Sequence, residues 1–308
     1  MATDLVRYSS YISNNERWER FDLRDDDIVI TVPSKSGTTW MQTLVALLVF
    51  DGVPPGPISV LSPWLDGNLR PEDEVFQLLA AQEHRRFVKT HAPLDGLPQH
   101  PSVTYVTVGR DPRDAFMSMR DHARNSDEPA LHAKRVAAVG DEDLADLTNP
   151  WPDPEDTRAT IAAFIDLPAS RSAADVNLAN CLRHLRQAWD ARNDDNKVLL
   201  HYADLATDLT GELRRLRDVL CIDIRDERID ELAVLASLDA MRQRATDTAP
   251  EADLGAWKDP AGFFRHGADR DAAAQFTEEE LARYEQRCHD LHGDDPAFLH
   301  WVHHGSEA

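Results

Sequence analysis

The sequence predicts an α/β domain with a mostly parallel central sheet. Short apolar runs bounded by turn residues predict strands at 27–32, 86–89, 103–108 and 197–201. Helical patterns follow or separate these runs, at 38–50, 72–83, 112–122, 178–192 and 208–220. Strands that alternate with helices form parallel sheets that helices cover on both faces. Because no linker or internal repeat divides the chain, we expect one domain over residues 1–308.

The composition is typical of a globular protein with an acidic surface. Of its 308 residues, 42% are hydrophobic and 29% are charged, and the net charge is −22. Such a surface repels the phosphates of nucleic acids, so we expect no nucleic-acid partner. The longest apolar run, 44–50, is too short to form a transmembrane segment. The start MATDLVRYSS lacks a signal pattern and the three cysteines are scattered, which predicts a cytoplasmic protein.

The first predicted strand leads into an anion-binding turn. The stretch TVPSKSGTTWMQ, residues 31–42, places Lys35, Gly37 and several hydroxyl residues between a strand and a helix. The glycine permits close backbone approach, and the helix offers unpaired N–H groups and the positive end of its dipole. In the GxxxxGK[ST] motif the lysine follows the second glycine, whereas Lys35 precedes Gly37. The turn predicts a phosphate-type anion site, and a P-loop kinase is kept as an alternative.

The second strand carries a candidate general base. In FVKTHAP, residues 87–93, Lys89 and His91 face the same way if the extended backbone continues through Thr90. An imidazole is a natural base near neutral pH, and an ammonium can stabilise charge on a leaving oxygen. A surface histidine ahead of a turn proline is the structural alternative.

The third strand ends at a candidate phosphate clamp. In YVTVGRDPRDAFMSM, residues 105–119, Arg110 follows the strand, and Asp111 and Pro112 suit the start of a helix. Ser118 lies about two turns into that helix. The donor fork of an arginine beside a hydroxyl suits a phosphate, while a surface pair with Asp111 or Asp114 is the alternative. Since strand ends of a parallel sheet share one rim, we expect the three cations 35, 89 and 110 in one cleft.

The later parts of the chain are less regular. The acidic segment 124–176 contains several prolines and no clear strand, so it is either a surface insertion or an acceptor-binding lid. Its apolar residues, which suit a lipid or aromatic alcohol, are Trp151, Ile161, Phe164, Ile165 and Leu167. After residue 222 the chain is helical, then forms a Pro/Gly-rich loop at 249–267 and two short C-terminal helices.

Taken together, these motifs resemble the cytosolic-type sulfotransferases that use 3′-phosphoadenosine 5′-phosphosulfate (PAPS). SKSGTTW is similar to their 5′-phosphosulfate loop, FVKTHAP to their catalytic segment, and Arg110 with Ser118 to their 3′-phosphate pair. FFRHG, residues 263–267, with the later Phe276-Thr277 resembles their Arg-Lys-Gly loop and its downstream Phe-Thr. The likeness runs from about residue 27 to 290 and is greatest to bacterial glycolipid sulfotransferases.

The resemblance implies a P-loop-type sulfotransferase fold and sulfuryl transfer from PAPS, without a metal, to a small-molecule, lipid or glycolipid hydroxyl. His91 would take the acceptor proton, and Lys35 and Lys89 would stabilise charge on the bridging and leaving oxygens. Ser118 would bind the 3′-phosphate and hold Lys35 back until the acceptor arrives. The implied cofactor contacts are Lys35, Ser36, Gly37, Thr38, Thr39, Trp40, Arg110, Ser118, Tyr202, Ser237, Leu238, Arg265, His266 and Gly267.

The sequence also departs from the family pattern. His266 replaces a lysine, which predicts a pH-dependent contact with the 3′-phosphate. The family usually has Thr-Ser-Phe where this chain has Ala236-Ser237-Leu238, so we expect weaker apolar packing on the adenine. The family's dimer motif is missing, which leaves the oligomeric state open. The functional alternatives are a non-catalytic PAPS-binding module and a sulfotransferase that modifies a peptide or glycopeptide hydroxyl.

Overall fold

Four parallel strands form the central sheet of the part of the chain that the structure describes. The computed structural model describes residues 5–141, 151–172, 174–264 and 272–306. The strands are β1 (Ile28–Thr31), β2 (Phe87–Thr90), β3 (Thr104–Gly109) and β4 (Lys197–His201). Their order is β2-β1-β3-β4, and every neighbouring pair is parallel. The predicted α/β class with a parallel sheet is therefore confirmed, with each strand within one residue of its predicted bounds.

The helices alternate with these strands as expected. The α-helices are α1 (Thr38–Val49), α2 (Ile58–Leu61), α3 (Glu72–Ala80), α4 (Pro112–Asn125), α5 (Glu128–Val139), α6 (Thr157–Asp166), α7 (Leu178–Asp190), α8 (Tyr202–Thr207), α9 (Leu209–Val219), α10 (Asp226–Leu235), α11 (Leu238–Gln243), α12 (Ala245–Thr248), α13 (Glu278–His292) and α14 (Pro296–His304). Short 3-10 turns lie at Asn15–Glu19, Leu94–Gly96, Ala252–Leu254, Ala261–Phe263 and Ala273–Gln275. Among the described residues, no helix is long and apolar enough to cross a bilayer.

The side-chain alternation of the strands builds two cores, one on each face of the sheet. Ile28 and Ile30 of β1 point to the face that α1 covers, where their core also includes Leu44. Val29, between them, points to the opposite face and packs with Val88 of the neighbouring strand. All of these side chains are fully buried or nearly so. The sheet is thus buried on both sides, as parallel sheets require.

Two of the helices that begin at the carboxyl rim of the sheet, α1 and α4, differ in how they are capped. Gly37 is the N-cap of α1 and provides no side-chain cap, so the first N–H groups of that helix face the rim without a capping side chain. Asp111 caps α4 by accepting a hydrogen bond from the Arg113 backbone, and Pro112 occupies the first turn. The rim therefore combines a bare helix start at β1 with a well-capped helix after β3.

Residues 249–264, here called the cavity loop, cover this rim. The loop is attached to α4, because the Lys258 backbone donates to the Asn125 carbonyl at 2.9 Å. A second attachment joins it to α2, where Ser59 Oγ donates to Asp253 at 2.7 Å. The predicted loop and the two helices after it, α13 and α14, are present. The C-terminal part of that predicted loop, 265–267, lies outside the described residues.

Candidate active site

A cavity of about 520 Å³ opens at the carboxyl ends of the strands. Most of the residues selected from the sequence line it: Lys35, Gly37, Thr38, Thr39, Trp40, Lys89, His91, Arg110, Ser118, Tyr202 and Leu238. Ser36 is buried within the turn itself. The hydroxyl of Ser237 accepts from the Ala240 backbone as the cap of α11. Arg265, His266 and Gly267 lie outside the described residues.

The turn after β1 has the backbone of an anion cradle. Lys35 and Gly37 both adopt positive φ angles, 66° and 106°. A Cβ on Gly37 would lie 3.2 Å from Tyr202 Cδ2, so the glycine permits both the left-handed backbone and the close approach of Tyr202. The hydroxyl Oγ1 of Thr38 is buried and has no hydrogen-bond partner among the described residues. An unpartnered donor at a helix N-terminus fits an anionic ligand.

Arg110 connects the end of β3 to this turn. Its guanidinium donates a 2.9 Å hydrogen bond to the Lys35 carbonyl and stacks 4.2 Å from the centre of the Tyr202 ring. Only 9% of the residue is exposed. Asp111 pairs with Arg113 instead, and Asp114 reaches only to 3.9 Å from Arg110 Nε. The arginine therefore lines the cavity, and its ion pair with Asp114 is a long one.

An aromatic pair lies on one side of the turn. The rings of Trp40 and Tyr202 meet edge to face, with centroids 5.2 Å apart. Trp40 Nε1 donates to the Ala236 carbonyl at 2.9 Å, which brings the start of α11 and its Leu238 side chain to the same wall. A planar base can pack against such a wall.

Lys89 and His91 lie together beside the ring of Trp64. The Lys89 ammonium is 4.9 Å from the ring centroid, and the His91 imidazole meets the ring edge to face at 5.0 Å. His91 Nδ1 lies 2.7 Å from the carbonyl oxygen of Val32. Because a carbonyl can only accept, Nδ1 carries the proton and Nε2 keeps a free lone pair. Burial, and then the nearby Lys89 charge, lower the pKa of His91 to about 3.

A second histidine supports this corner from below the rim. His184 of α7 is buried, with Nε2 3.1 Å from Thr31 Oγ1 and 3.3 Å from the Thr31 carbonyl. Its Nε2 therefore donates, since Thr31 Oγ1 already donates to Ala92. Burial lowers the pKa of His184 to about 3, so this imidazole is neutral at physiological pH.

Two polar residues that the motifs did not indicate also enter the cavity. Glu251 of the cavity loop pairs with Lys89, with Oε1 2.9 Å from Nζ. His122 of α4 lies 3.2 Å from Lys35 Nζ through Nδ1, one turn beyond Ser118. No local sequence signal identifies either residue, because each contact joins segments far apart in the chain.

Phe263 and His122 flank the Lys35 ammonium, and Trp257 packs against His122. The ring of Phe263 lies 4.2 Å from it, and His122 accepts from it. The rings of His122 and Trp257 meet edge to face at 4.7 Å. Burial, and then the charge of Lys35, hold the pKa of His122 well below its usual range, so the imidazole is a neutral acceptor.

Part of the cavity lining is apolar, although Asp114, Asp121 and Asn125 also line it. The apolar part includes Ile12, Leu69, Met117, Met119, Leu131 and Ala174. Segment 124–176 contributes Leu131 and Ala174 to this apolar lining. The apolar residues of the segment that we expected there pack elsewhere. Ile161, Phe164 and Ile165 belong to the core between α6 and α7, and Trp151 stacks on Phe116. None of the five apolar residues expected at the pocket lines it, and Leu167 is also absent from the lining. The spacing of Ile161, Phe164 and Ile165 on α6 directs these three to the protein core.

Comparisons with known proteins identify the family. The family model described as the sulfotransferase domain matches residues 25–296. A glycolipid sulfotransferase from Mycobacterium bovis (strain BCG / Pasteur 1173P2) is 43% identical, over 98% of this chain and 95% of its own length. The luciferin sulfotransferase of Photinus pyralis is 22% identical, over 90% of this chain and 74% of its own length.

Solved structures agree on the fold. Retinol dehydratase in complex with androsterone and the inactive cofactor PAP has a TM-score of 0.69 and 23% identity, over 92% of this chain and 87% of that one. A mouse sulfotransferase complexed with PAP has a TM-score of 0.64 and 20% identity, over 92% and 89% of the two chains. The parallel sheet, the cradle after β1 and the family match over residues 25–296 lead to one conclusion: this chain is a member of the sulfotransferase family.

Proposed function

We propose that this enzyme transfers a sulfuryl group from PAPS to a hydroxyl of a glycolipid. The observation that carries the proposal is the meeting of Lys35, Lys89 and Arg110 with the Nε2 lone pair of His91 in one cavity. Three cations suit a polyanionic donor, and an unprotonated imidazole suits removal of a hydroxyl proton. Proteins of the same fold crystallised with PAP, and a glycolipid sulfotransferase 43% identical to this chain, support it.

The donor half of the cavity fits a nucleotide with two phosphate-like ends. The bare start of α1 and the unpartnered Thr38 hydroxyl suit the 5′-phosphosulfate. Arg110 and Ser118 line the cavity on the α4 side and suit the 3′-phosphate. Trp40 and Tyr202 form a wall for the adenine. Arg265, His266 and Gly267 stay proposals for the same phosphate.

The catalytic half acts on the acceptor hydroxyl. When bound, PAPS supplies the sulfuryl group that the acceptor oxygen receives. His91 Nε2 takes the proton of that hydroxyl, while the Nδ1 hydrogen bond to Val32 fixes the ring and its tautomer. Lys35 and Lys89 stabilise the negative charge that remains on the donor side, as preorganised cations in a low-dielectric site do. Ser118 lies one turn before His122 on α4. To act on the donor, the Lys35 ammonium would leave its hydrogen bond with His122.

The acceptor half is formed by the apolar residues of the cavity lining. Methionine and leucine side chains there suit an alkyl chain, since flexible apolar side chains adapt to lipids. The relative that acts on glycolipids shares 43% identity with this chain and so supports a glycolipid acceptor. Three free cysteines support a reducing, cytoplasmic location.

The test uses two measurements on the full chain. Calorimetry should show tight binding of 3′-phosphoadenosine 5′-phosphate (PAP) and much weaker binding of 5′-AMP, because Arg110 and Ser118 would gain nothing from the latter. Mass spectrometry of a host lipid extract incubated with enzyme and PAPS should then show a glycolipid that gains one sulfate. Equal affinity for PAP and 5′-AMP would count against the donor, and a sulfated peptide would replace the proposed acceptor class.

A further inference from the structure

Lys89 is paired with a carboxylate inside the cavity. Its Nζ lies 2.9 Å from Glu251 Oε1, and only 5% and 13% of the two side chains are exposed. The ring of Trp64 flanks the ammonium at 4.9 Å. In such a buried pair each charge depends on the other, because loss of one partner leaves an uncompensated charge.

The backbone holds this carboxylate in place. Glu251 has a φ of 50°, in the left-handed region that few residues other than glycine adopt. On one side of it, Trp257 Nε1 donates to the Pro250 carbonyl at 2.5 Å, and on the other, Ser59 donates to Asp253 at 2.7 Å. Strained residues of this kind persist where the surrounding contacts fix them, and they are frequent at functional sites.

We propose that Glu251 is a positioning residue that shares Lys89 with the donor and reclaims it when the spent donor leaves. This inference rests on the proposed function. An ammonium has three N–H donors, so Lys89 can keep one on Glu251 and direct the others to an anion. The share of the Lys89 charge that Glu251 neutralises is not available to attract the anion. Glu251 therefore speeds the release of PAP, the kind of step that limits turnover in many enzymes.

The test measures PAP affinity by calorimetry and PAP dissociation by stopped flow. Glu251→Gln removes the charge and keeps the side-chain shape, so we expect PAP to bind about tenfold more tightly and to dissociate more slowly. In a Lys89→Met background, the same substitution should change the affinity by about threefold at most, because no lysine is left to share. Asp259→Asn is the matched control: it removes a charge from the same loop at a side chain that accepts from the Ala261 backbone, and it should leave PAP affinity within about threefold.

The outcomes separate this inference from the proposed function. If the wild-type protein does not bind PAP, the donor assignment itself fails. If it binds PAP but Glu251→Gln does not tighten binding, or tightens it equally in the Lys89→Met background, only the inference fails. Glu251→Asp, whose shorter side chain lengthens the pair, should tighten binding by about two- to fivefold. If Glu251→Gln does not fold, the PAP affinity of Glu251→Asp tests the inference instead.

Discussion

At the scale of single residues, the tautomer of His91 determines what the site can do. Its Nδ1 proton is committed to the Val32 carbonyl, so the lone pair of Nε2 points elsewhere and can accept a proton. The low pKa of about 3 keeps this nitrogen unprotonated throughout the neutral range. An anionic donor beside Lys35 and Lys89 would offset their charges and raise the pKa of His91 towards a value more useful to a base.

Replacement of His91 by asparagine should separate its two tasks. The amide of His91→Asn can still donate to the Val32 carbonyl, but it cannot take a proton. We expect single-turnover sulfuryl transfer to the identified glycolipid to fall by about 10²–10⁴-fold, with PAP affinity nearly unchanged. Rapid-quench measurement with labelled PAPS decides the matter, and a wild-type rate in the variant would place the base elsewhere.

Arg110 provides a second prediction at this scale. Arg110→Ala should weaken PAP binding by about 1–3 kcal/mol, the range for loss of a charge-assisted hydrogen bond. Arg113 is a matched control, because it lies three residues further along the chain, in the first turn of α4, and pairs with Asp111. Calorimetry should show near-normal PAP affinity for Arg113→Ala. Similar losses in both variants would mean that general positive charge, and not a contact of Arg110, binds the nucleotide.

At the scale of elements, the turn between β1 and α1 carries the strictest backbone requirement. Gly37→Ala would place a methyl group 3.2 Å from Tyr202 and force a non-glycine residue to a φ of 106°. We expect the free energy of unfolding to fall by about 1–2 kcal/mol and PAP affinity to fall by about tenfold, because Tyr202 also stacks on Arg110. Urea denaturation and calorimetry measure the two effects.

Gly255→Ala is the control for that experiment. Gly255 also has a positive φ, 71°, but a Cβ there would meet nothing within 4 Å. The free energy of unfolding of Gly255→Ala should therefore fall by a similar amount, while its PAP affinity stays unchanged. A parallel loss of PAP affinity in this variant would show that destabilisation alone, and not the contact with Tyr202, explains the effect at Gly37.

The elements also show how far the sequence leads. Each strand was predictable within one residue because buried parallel strands are continuous apolar runs between turn residues. Helix ends were less predictable: α4 continues to Asn125, three residues past its predicted end, because Ser126 and not a glycine or proline follows it. The cation cluster was predictable from topology, since strand ends of a parallel sheet share a rim.

Glu251 and His122 were not predictable, for a physical reason. Glu251 reaches Lys89 across 162 residues of sequence, and His122 reaches Lys35 across 87. Such pairs depend on how the cavity loop and α4 dock, and no periodicity or local motif records that docking. Functional residues grouped in a motif can thus be predicted from the sequence. The residues that position them can be identified only in the folded structure.

At the scale of the whole molecule, buried neutral histidines link stability to pH. The pKa values of His91 and His184 are about 3 in the folded protein, against 6.5 as the usual value. The unfolded chain therefore binds more protons between these values. Stability from each residue is fully present above pH 6.5 and is lost as the pH falls towards 3, by about 1.4 kcal/mol per pH unit.

Urea unfolding from pH 7.5 to 5 should test this linkage. We expect the wild-type free energy of unfolding to decrease below about pH 6.5. In His184→Gln, which can still donate to Thr31 but cannot titrate, the decrease should be shallower by about 1 kcal/mol per pH unit. Comparison of the two proteins removes the contribution of the carboxylates. Identical slopes would mean that His184 is already protonated in the native state.

The hydrogen bond from Arg110 to the Lys35 carbonyl has a consequence for how the donor is recognised. One guanidinium both faces the proposed 3′-phosphate subsite and supports the backbone that cradles the other end of the ligand. Occupation of one subsite therefore stiffens the other subsite. Two fragments of the donor should bind with positive cooperativity, although the fragments do not contact each other. By thermodynamic reciprocity, the help that each fragment gives is equal. The enzyme would then bind the two halves of its donor cooperatively even when they are separate molecules.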